Sequence, residues 1–301
     1  MKVGVVLPLF SGDPGKVLDA AREAEELRFD GAFVFDHFFP PGAPRDRPAL
    51  EAFTTLAAVA AATERIAVGT LVTRVSLRPA GMLAKLGAWL DAASGGRLIL
   101  GLGTGDPIDR LEHEAYGIPM PGREERRVQL EETVVAVKAL WRGEPYRGGR
   151  FVPPLEGPVL PPPARAGGPP VWLGAQADAV VRIAGRWADG WNGWGLNPDD
   201  FRGKAAVLSQ EAEDASRSAE PTWAGIALVG TDEAETRELA ERRRARGLDD
   251  QAWTGTAEEF TAFLRGLAEA GATWAVIVPA GPADRRQLIA KEVLPALAQR
   301  A

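Results

Sequence analysis

Short apolar runs alternate along this chain with longer segments of helical periodicity, almost from the first residue to the last. Residues 3–7 are apolar and read as a first strand. Asp13-Pro14 then supplies an N-cap and a proline at the first helical position, and Val17, Ala21, Ala24 and Leu27 fall on one helical face. The same unit recurs. Further strands are predicted over residues 31–35, 65–72, 98–102, 171–173, 189–194, 223–229 and 272–278. Helices are predicted between them over about 50–62, 79–93, 124–141, 178–187, 198–218 and 232–246, and residues 107–123 read as a loop. Thr256 and Glu259 form a capping box that opens another helix, and a last helix starts near Asp284 and kinks at Pro295.

The strands are apolar on both faces, which suits a parallel sheet covered by helices. Eight such strands separated by helices predict an α/β fold, a (β/α)8 TIM barrel. A doubly wound sheet is the alternative, although it would be large. One segment breaks the rhythm: 15 of the 28 residues from 143 to 170 are Gly or Pro, so neither a helix nor a central strand runs through it. Because strand–helix alternation resumes at Pro170, this reads as an insertion, a lid over the barrel mouth or a dimer arm, within a single domain spanning 1–301.

Composition narrows the chemistry. With no cysteine and only His37 and His113, the chain offers no disulfide, thiolate nucleophile, iron–sulfur ligation or histidine-rich metal site, and no metal is expected. A net charge of -6 without a basic patch argues against nucleic acid as a partner, and the Arg242 to Arg246 run reads as a solvated helix end. No apolar run approaches transmembrane length, and the opening residues resemble a strand more than a signal peptide, so a cytoplasmic protein without a membrane partner is expected. The lysines fall on helices or at a strand start, which disfavours a Schiff base, and no G-x-S-x-G elbow is present.

Candidate chemistry gathers at the predicted C-terminal strand ends, where parallel barrels build their active sites. The stretch SGGRLILGLGTGD ends strand four on Gly101-Leu102-Gly103-Thr104-Gly105 and delivers Asp106. The third glycine of a dinucleotide fingerprint is missing, since Asp106 and Pro107 stand there. Alternating glycines would instead let a flat ligand lie on bare backbone, or simply serve a tight turn. Asp36-His37 closes strand two, where an imidazole can move a proton and a neighbouring carboxylate can fix its tautomer; the alternative is a capping Asp beside a His packed among Phe33, Phe35, Phe38 and Phe39. Gly174-Ala175-Gln176 leads a strand into a helix and either suits a phosphate, with Gly230 and Gly281 as rivals, or is a plain turn. Trp191, Asn192 and Trp194 at the end of strand six are read as a cavity wall or equally as core, Trp187 as core and His113 as solvent-exposed.

Taken together, FVFDHF, RIAVGTLVT, LDAASGGRLILGLGTGD, PVWLGAQADAVVRIAGRWADGWN and TGTAEEFTAFLRGLAEAGATWAVIV resemble the luciferase-like flavin or deazaflavin oxidoreductases, and most of all their coenzyme F420-dependent branch. The resemblance implies a TIM barrel, commonly homodimeric, that moves hydride between F420 and a small organic substrate. His37 and Asp106 would then be the catalytic acid/base pair. Thr70, Leu71, Val72 and Thr73 would support the ring, with a cis peptide at Leu71–Val72. Asp36, Gly103, Thr104 and Gly105 would complete the cofactor site, and Gly174, Ala175 and Gln176 would take its phosphate. The alternatives are an FMN-using monooxygenase that activates O2 and a non-catalytic flavin-binding homologue. Two positions depart from the branch's sugar-phosphate enzymes: Pro41 stands where they carry a catalytic Trp, and Asp106 replaces a Glu. Glucose 6-phosphate is therefore not the expected substrate.

Overall fold

A computed structural model describes residues 1–41, 46–248 and 252–298, so part of the proline-rich loop after Pro40 lies outside the described residues. Its strands are β1 (Lys2–Val6), β2 (Gly31–Val34), β3 (Ala67–Thr70), β4 (Thr73–Arg74), β5 (Leu98–Gly103), β6 (Val171–Gly174), β7 (Gly190–Trp194), β8 (Glu220–Gly230), β9 (Trp253–Thr256) and β10 (Trp274–Pro279). All their pairings are parallel. The order β10-β1-β2-β3-β5-β6-β7-β8 closes on itself through β10–β8, which makes an eight-stranded barrel and rules out an open doubly wound sheet. β4 and β9 are short additions: β4 pairs with β5, and β9 extends β8 at its C-terminal end.

The surrounding helices are α1 (Pro14–Glu26), α2 (Ala52–Ala62), α3 (Ala80–Ala93), α4 (Arg110–Ala115), α5 (Arg123–Trp141), α6 (Asp178–Trp187), α7 (Pro198–Asp214), α8 (Glu233–Ala245), α9 (Ala257–Glu269), α10 (Arg285–Leu288) and α11 (Leu294–Ala298). Local chemistry starts most of them. The Asp13 side chain accepts the Gly15 N–H at 2.9 Å, Asn197 accepts that of Asp200 at 2.9 Å, and the Thr256–Glu259 box is formed in both directions. A π-helical turn, Ile289–Val293, lies between α10 and α11, where Pro295 disturbs the regular ladder. None of the described helices is long and apolar enough to cross a membrane.

Inside the barrel, Phe33, Trp172 and Trp274 pack ring on ring with centroids 5.5–6.0 Å apart. Gly31 and Gly69 make room for them, since a Cβ would stand 2.6 Å and 2.8 Å from the Phe33 ring. This aromatic plug fills the lower barrel, leaving the C-terminal strand ends as the functional face.

Three sequence expectations need correcting here. The segment 143–170 is no lid: it is a strap on the outside of α3 and α5. Tyr146 bridges Leu155, Glu132 accepts the N–H groups of Arg150, Phe151 and Val152, Val152 buries beside Ala80 and Ala136, and Arg165 grips Asp91. Val152 and Leu155 find their cover on those helices, and three successive backbone N–H groups converge on the Glu132 carboxylate. Trp187 is not core; it is 40% exposed and donates its indole N–H to Glu131 at 2.8 Å. The loop predicted over 107–123 contains α4 and a 3-10 turn, Pro107–Asp109, started by the Asp106-Pro107 pair.

Candidate active site

Asp36 and His37 leave the end of β2 in opposite directions, as successive residues of an extended chain do. The buried Asp36 carboxylate receives Arg78 at 2.5 and 3.2 Å and the Thr73 hydroxyl, while Arg78 also reaches Glu51 at 2.7 Å. These pairings push the Arg78 guanidinium above its ordinary range despite its burial. Asp36 therefore anchors the wall of the site and is not what fixes the imidazole.

That partner is Glu112, on α4. Its Oε1 lies 2.7 Å from His37 Nδ1, and its Oε2 accepts the Phe38 N–H at 2.6 Å and Arg74 Nη2 at 2.8 Å. Burial alone would raise the Glu112 carboxyl, but the hydrogen bonds from His37 and Phe38 and the charge of Arg74 hold it below the usual carboxylate range. Arg74 also donates to the Asp36 carbonyl at 2.9 Å and lies 3.6 Å from Asp109. The His37 side chain is 20% exposed, and its Nε2 has no hydrogen-bond partner among the described residues. Phe10 and Phe35 stand 6.2 Å from the imidazole, and Trp194 meets Phe35 edge-on at 6.0 Å. The imidazole thus presents one nitrogen to an aromatic-walled mouth, with the other tied to a carboxylate.

Asp106 is exposed, caps the turn before α4, and forms neither hydrogen bond nor ion pair with His37. His113 is the opposite of the expectation: it is 1% exposed, its Nδ1 is 3.2 Å from the Pro119 carbonyl oxygen, and its Nε2 has no partner. Once α4 is a helix, Asp109, Glu112 and His113 share its inner face, and burial with the nearby charge of Arg74 pushes the His113 imidazole below its ordinary value. The D-x-x-E-H spacing after the Asp-Pro cap was the available signal for both residues. Ligand atoms of His37, Asp109 and Glu112 fall within 4.8 Å of one another. Arg74 is already engaged by the two carboxylates, so this arrangement is an ion-pair network whose charge disfavours a cation.

The Leu71–Val72 peptide is cis, and the chain turns there between β3 and β4. The glycines opposite serve this turn. A Cβ on Gly101 would overlap the Thr70 carbonyl oxygen, one on Gly103 would stand 2.5 Å from Val72 Cγ2, and one on Gly174 2.9 Å from Val72 Cγ1. The alternating glycines are thus filled by the protein's own turn, and a flat ligand would meet Leu71 and Val72 instead of bare glycine backbone. Thr70 closes the seam, exchanging hydrogen bonds with Gly101 at 2.7 and 3.0 Å, and Thr73 belongs to the Asp36 cluster. Thr104 and Gly105 follow as a half-buried rim, with Gly105 at φ +75° over Arg74.

At the β6–α6 junction the Ala175 N–H is taken by the Asn192 carbonyl, and Gln176 donates to the Trp194 carbonyl at 2.7 Å. Ala177 occupies the N-cap of α6 without a capping side chain, unlike α1, α7 and α9. Uncapped first-turn N–H groups at this end of the barrel suit a phosphate, and the Leu71–Val72 turn offers an apolar backing for a planar ring. Both features fit a deazaflavin or flavin nucleotide. Trp191, expected in the cavity wall, faces the helix layer: it is fully buried, stacks on Phe201 at 5.3 Å and donates to the Ala175 carbonyl. Strand alternation sends only Asn192 and Trp194 inward, and Asn192 is held by Thr222 at 2.9 Å.

Barrel and site together define a luciferase-like protein, and the chain belongs to the luciferase-like monooxygenase family, whose pattern matches residues 1–287. Among individual relatives, it is 34% identical over 194 residues to the F420-dependent glucose-6-phosphate dehydrogenase of Intrasporangium calvum, covering 64% of this chain and 57% of that protein. It is 31% identical over 262 residues to the F420-dependent hydroxymycolic acid dehydrogenase of Mycobacterium tuberculosis, covering 83% and 69%. The chain spans just over half the length of the glucose-6-phosphate dehydrogenase it matches. Its fold is similar to that of an F420-dependent secondary alcohol dehydrogenase solved with an F420–acetone adduct, with a TM-score of 0.83 and 19% identity over 98% of both chains.

Proposed function

We propose that this protein is an oxidoreductase that binds coenzyme F420 in the barrel mouth and exchanges hydride with a small, largely apolar organic substrate. The observation that carries this reading is His37, whose free Nε2 faces an aromatic mouth beside the Leu71–Val72 turn while Glu112 holds its other nitrogen. Coenzyme F420, when bound, supplies the hydride chemistry of its deazaflavin ring. The protein's own tasks are then positioning and proton movement. Leu71 and Val72 back the ring, the uncapped start of α6 holds phosphate, and His37 Nε2 gives or takes the proton at the substrate oxygen. Phe10, Phe35 and Trp194 keep water from that proton and favour an apolar substrate. Arg74 and Arg78 are engaged by Glu112, Asp36 and Glu51, which supports a substrate other than a sugar phosphate.

The test is a pair of fluorescence titrations of the purified protein, one with oxidised F420 and one with FMN. Tight binding of F420 with FMN ignored is expected, and His37→Asn should keep the binding while losing turnover. Binding of FMN alone would overturn the reading in favour of a reduced-flavin monooxygenase, the activity for which the family is named. Unchanged F420 binding with no turnover of any alcohol or carbonyl substrate would leave a flavin-binding homologue without catalysis.

A further inference from the structure

We infer that Glu112 is a positioning residue for His37: it fixes the imidazole as the Nδ1–H tautomer, so that all proton exchange with a substrate runs through Nε2. The inference rests on the proposed acid/base role of His37, but its geometry stands apart from any cofactor.

The helix α4 and its C-cap residue Tyr116 hold residues 37 and 38 at three points. Glu112 Oε1 meets His37 Nδ1 at 2.7 Å, Glu112 Oε2 accepts the Phe38 N–H at 2.6 Å, and the Tyr116 ring lies 4.5 Å from that of Phe38. Side chain and following peptide are therefore fixed by one carboxylate. The group is 1% exposed, so its hydrogen bonds do not compete with water. Arg74 Nη2, 2.8 Å from Oε2, keeps the carboxylate ionised and therefore acceptor-only. An acceptor-only group opposite Nδ1 requires a proton on Nδ1, which leaves the Nε2 lone pair directed away from α4. Asp109 Oδ1, 3.8 Å from Nδ1, adds a second negative charge on that same side.

Every donor around Glu112 is fixed, which makes Glu112→Gln informative. Gln has the same volume but one acceptor atom. With its amide nitrogen at the Oε2 position it would face the Phe38 N–H and Arg74. Turned over, it would donate to Nδ1 and force the imidazole into the Nε2–H tautomer. Either outcome removes the lone pair from the mouth or loosens the imidazole. A purely structural role for Glu112 predicts neither.

The experiment is nitrogen-15 NMR of the histidine rings in the cofactor-free protein. The chain has two histidines, and the resonances of His37 are those missing from His37→Asn. In the wild type, at a pH where the ring is neutral, His37 is expected to show a protonated Nδ1 and a bare Nε2. In Glu112→Gln the tautomer should become mixed or reversed, and kcat should fall about 10²-fold while F420 affinity and substrate KM change less than about threefold. A wild-type His37 protonated on Nε2 overturns the inference, and this measurement needs no variant to fold. So does a Glu112→Gln protein with unchanged tautomer and kcat. Failure of F420 to bind would defeat the proposed function while leaving the tautomer result to be judged by itself.

Discussion

Replacing Gly101 by Ala tests whether the glycines of β5 exist for the cis turn or for a ligand. A Cβ at this position would overlap the Thr70 carbonyl oxygen and stand 3.0 Å from both Thr70 C and Val72 Cγ1. The first obstacle is backbone, which cannot rotate aside as a side-chain tip can. Relief requires β3 and β5 to part, which weakens the two hydrogen bonds between Thr70 and Gly101 at 2.7 and 3.0 Å. Overpacking of a rigid site and two compromised buried hydrogen bonds together cost about 3 kcal/mol. In a chain of this size that lowers the thermal midpoint by roughly 6 °C. Differential scanning calorimetry or tryptophan fluorescence would read it. Gly203→Ala is the control: this exposed position in α7 has open space around it, and Ala should add about 0.5–1 kcal/mol through helix propensity. If Gly101→Ala melts with the wild type and loses only F420 binding, the glycine serves the ligand and not the turn.

Arg97→Ala should cost about 3 kcal/mol in denaturant melts, because one guanidinium binds the carbonyls of Ala60, Thr63, Ile66 and Ser94 and so closes the C-termini of α2 and α3. Trp187→Gln should change stability by less than about 0.5 kcal/mol in the same assay, since the indole lies on the surface. Stability should fall as pH drops below about 6.5, the ordinary histidine value, because buried His113 resists the proton that the unfolded chain takes up; His113→Asn should flatten thermal midpoint against pH between about 7 and 5. On the acid side Glu235, held at about 2 by Thr231 hydrogen bonds and Arg285, stabilises the fold above the ordinary carboxylate range, and Glu235→Gln should weaken the further loss below about pH 4.5.

What could be read from the chain follows from how locally each feature is determined. The barrel is written in repeated apolar runs and helix caps, each fixed within a few residues, and so the eight barrel strands, the Asp13 cap and the Thr256 box were legible. β9 was not, because Trp253–Thr256 is four residues long and becomes a strand only by lying along β8. The strap at 143–170 was recognised as irregular, but its course depends on where Glu132 and Asp91 offer acceptors on α5 and α3. The site shows the same division. His37 stands out at a strand end, whereas residues 65–72 read as one strand and only the family resemblance points to the break at Leu71–Val72. Glu112 does not stand out, because its partner lies 75 positions earlier in the chain and the helix that carries it reads as loop.

The β3–β4 turn also ties the proposed cofactor wall to His37, the proposed acid/base. Val72 stands at the turn, and Thr73 and Arg74 follow immediately on β4, which is held to β5 by Leu102 and Gly103. Thr73 meets Asp36, and Arg74 meets Glu112 and the Asp36 carbonyl. A displacement of Val72 is therefore passed within two residues to the guanidinium that keeps Glu112 ionised. Buried ion pairs of this kind contribute little net stability, because desolvation offsets their attraction, but they allow few alternative geometries. Arg74 shows the cost: its Nε and Nη1 are buried without hydrogen-bond partners, at a position where an apolar side chain could have packed. Such a group is poorly explained by stability alone. It is explained if the arrangement serves to hold His37 Nε2 and the surface of Leu71 and Val72 in one fixed relation, which is what hydride and proton transfer to the same substrate would require.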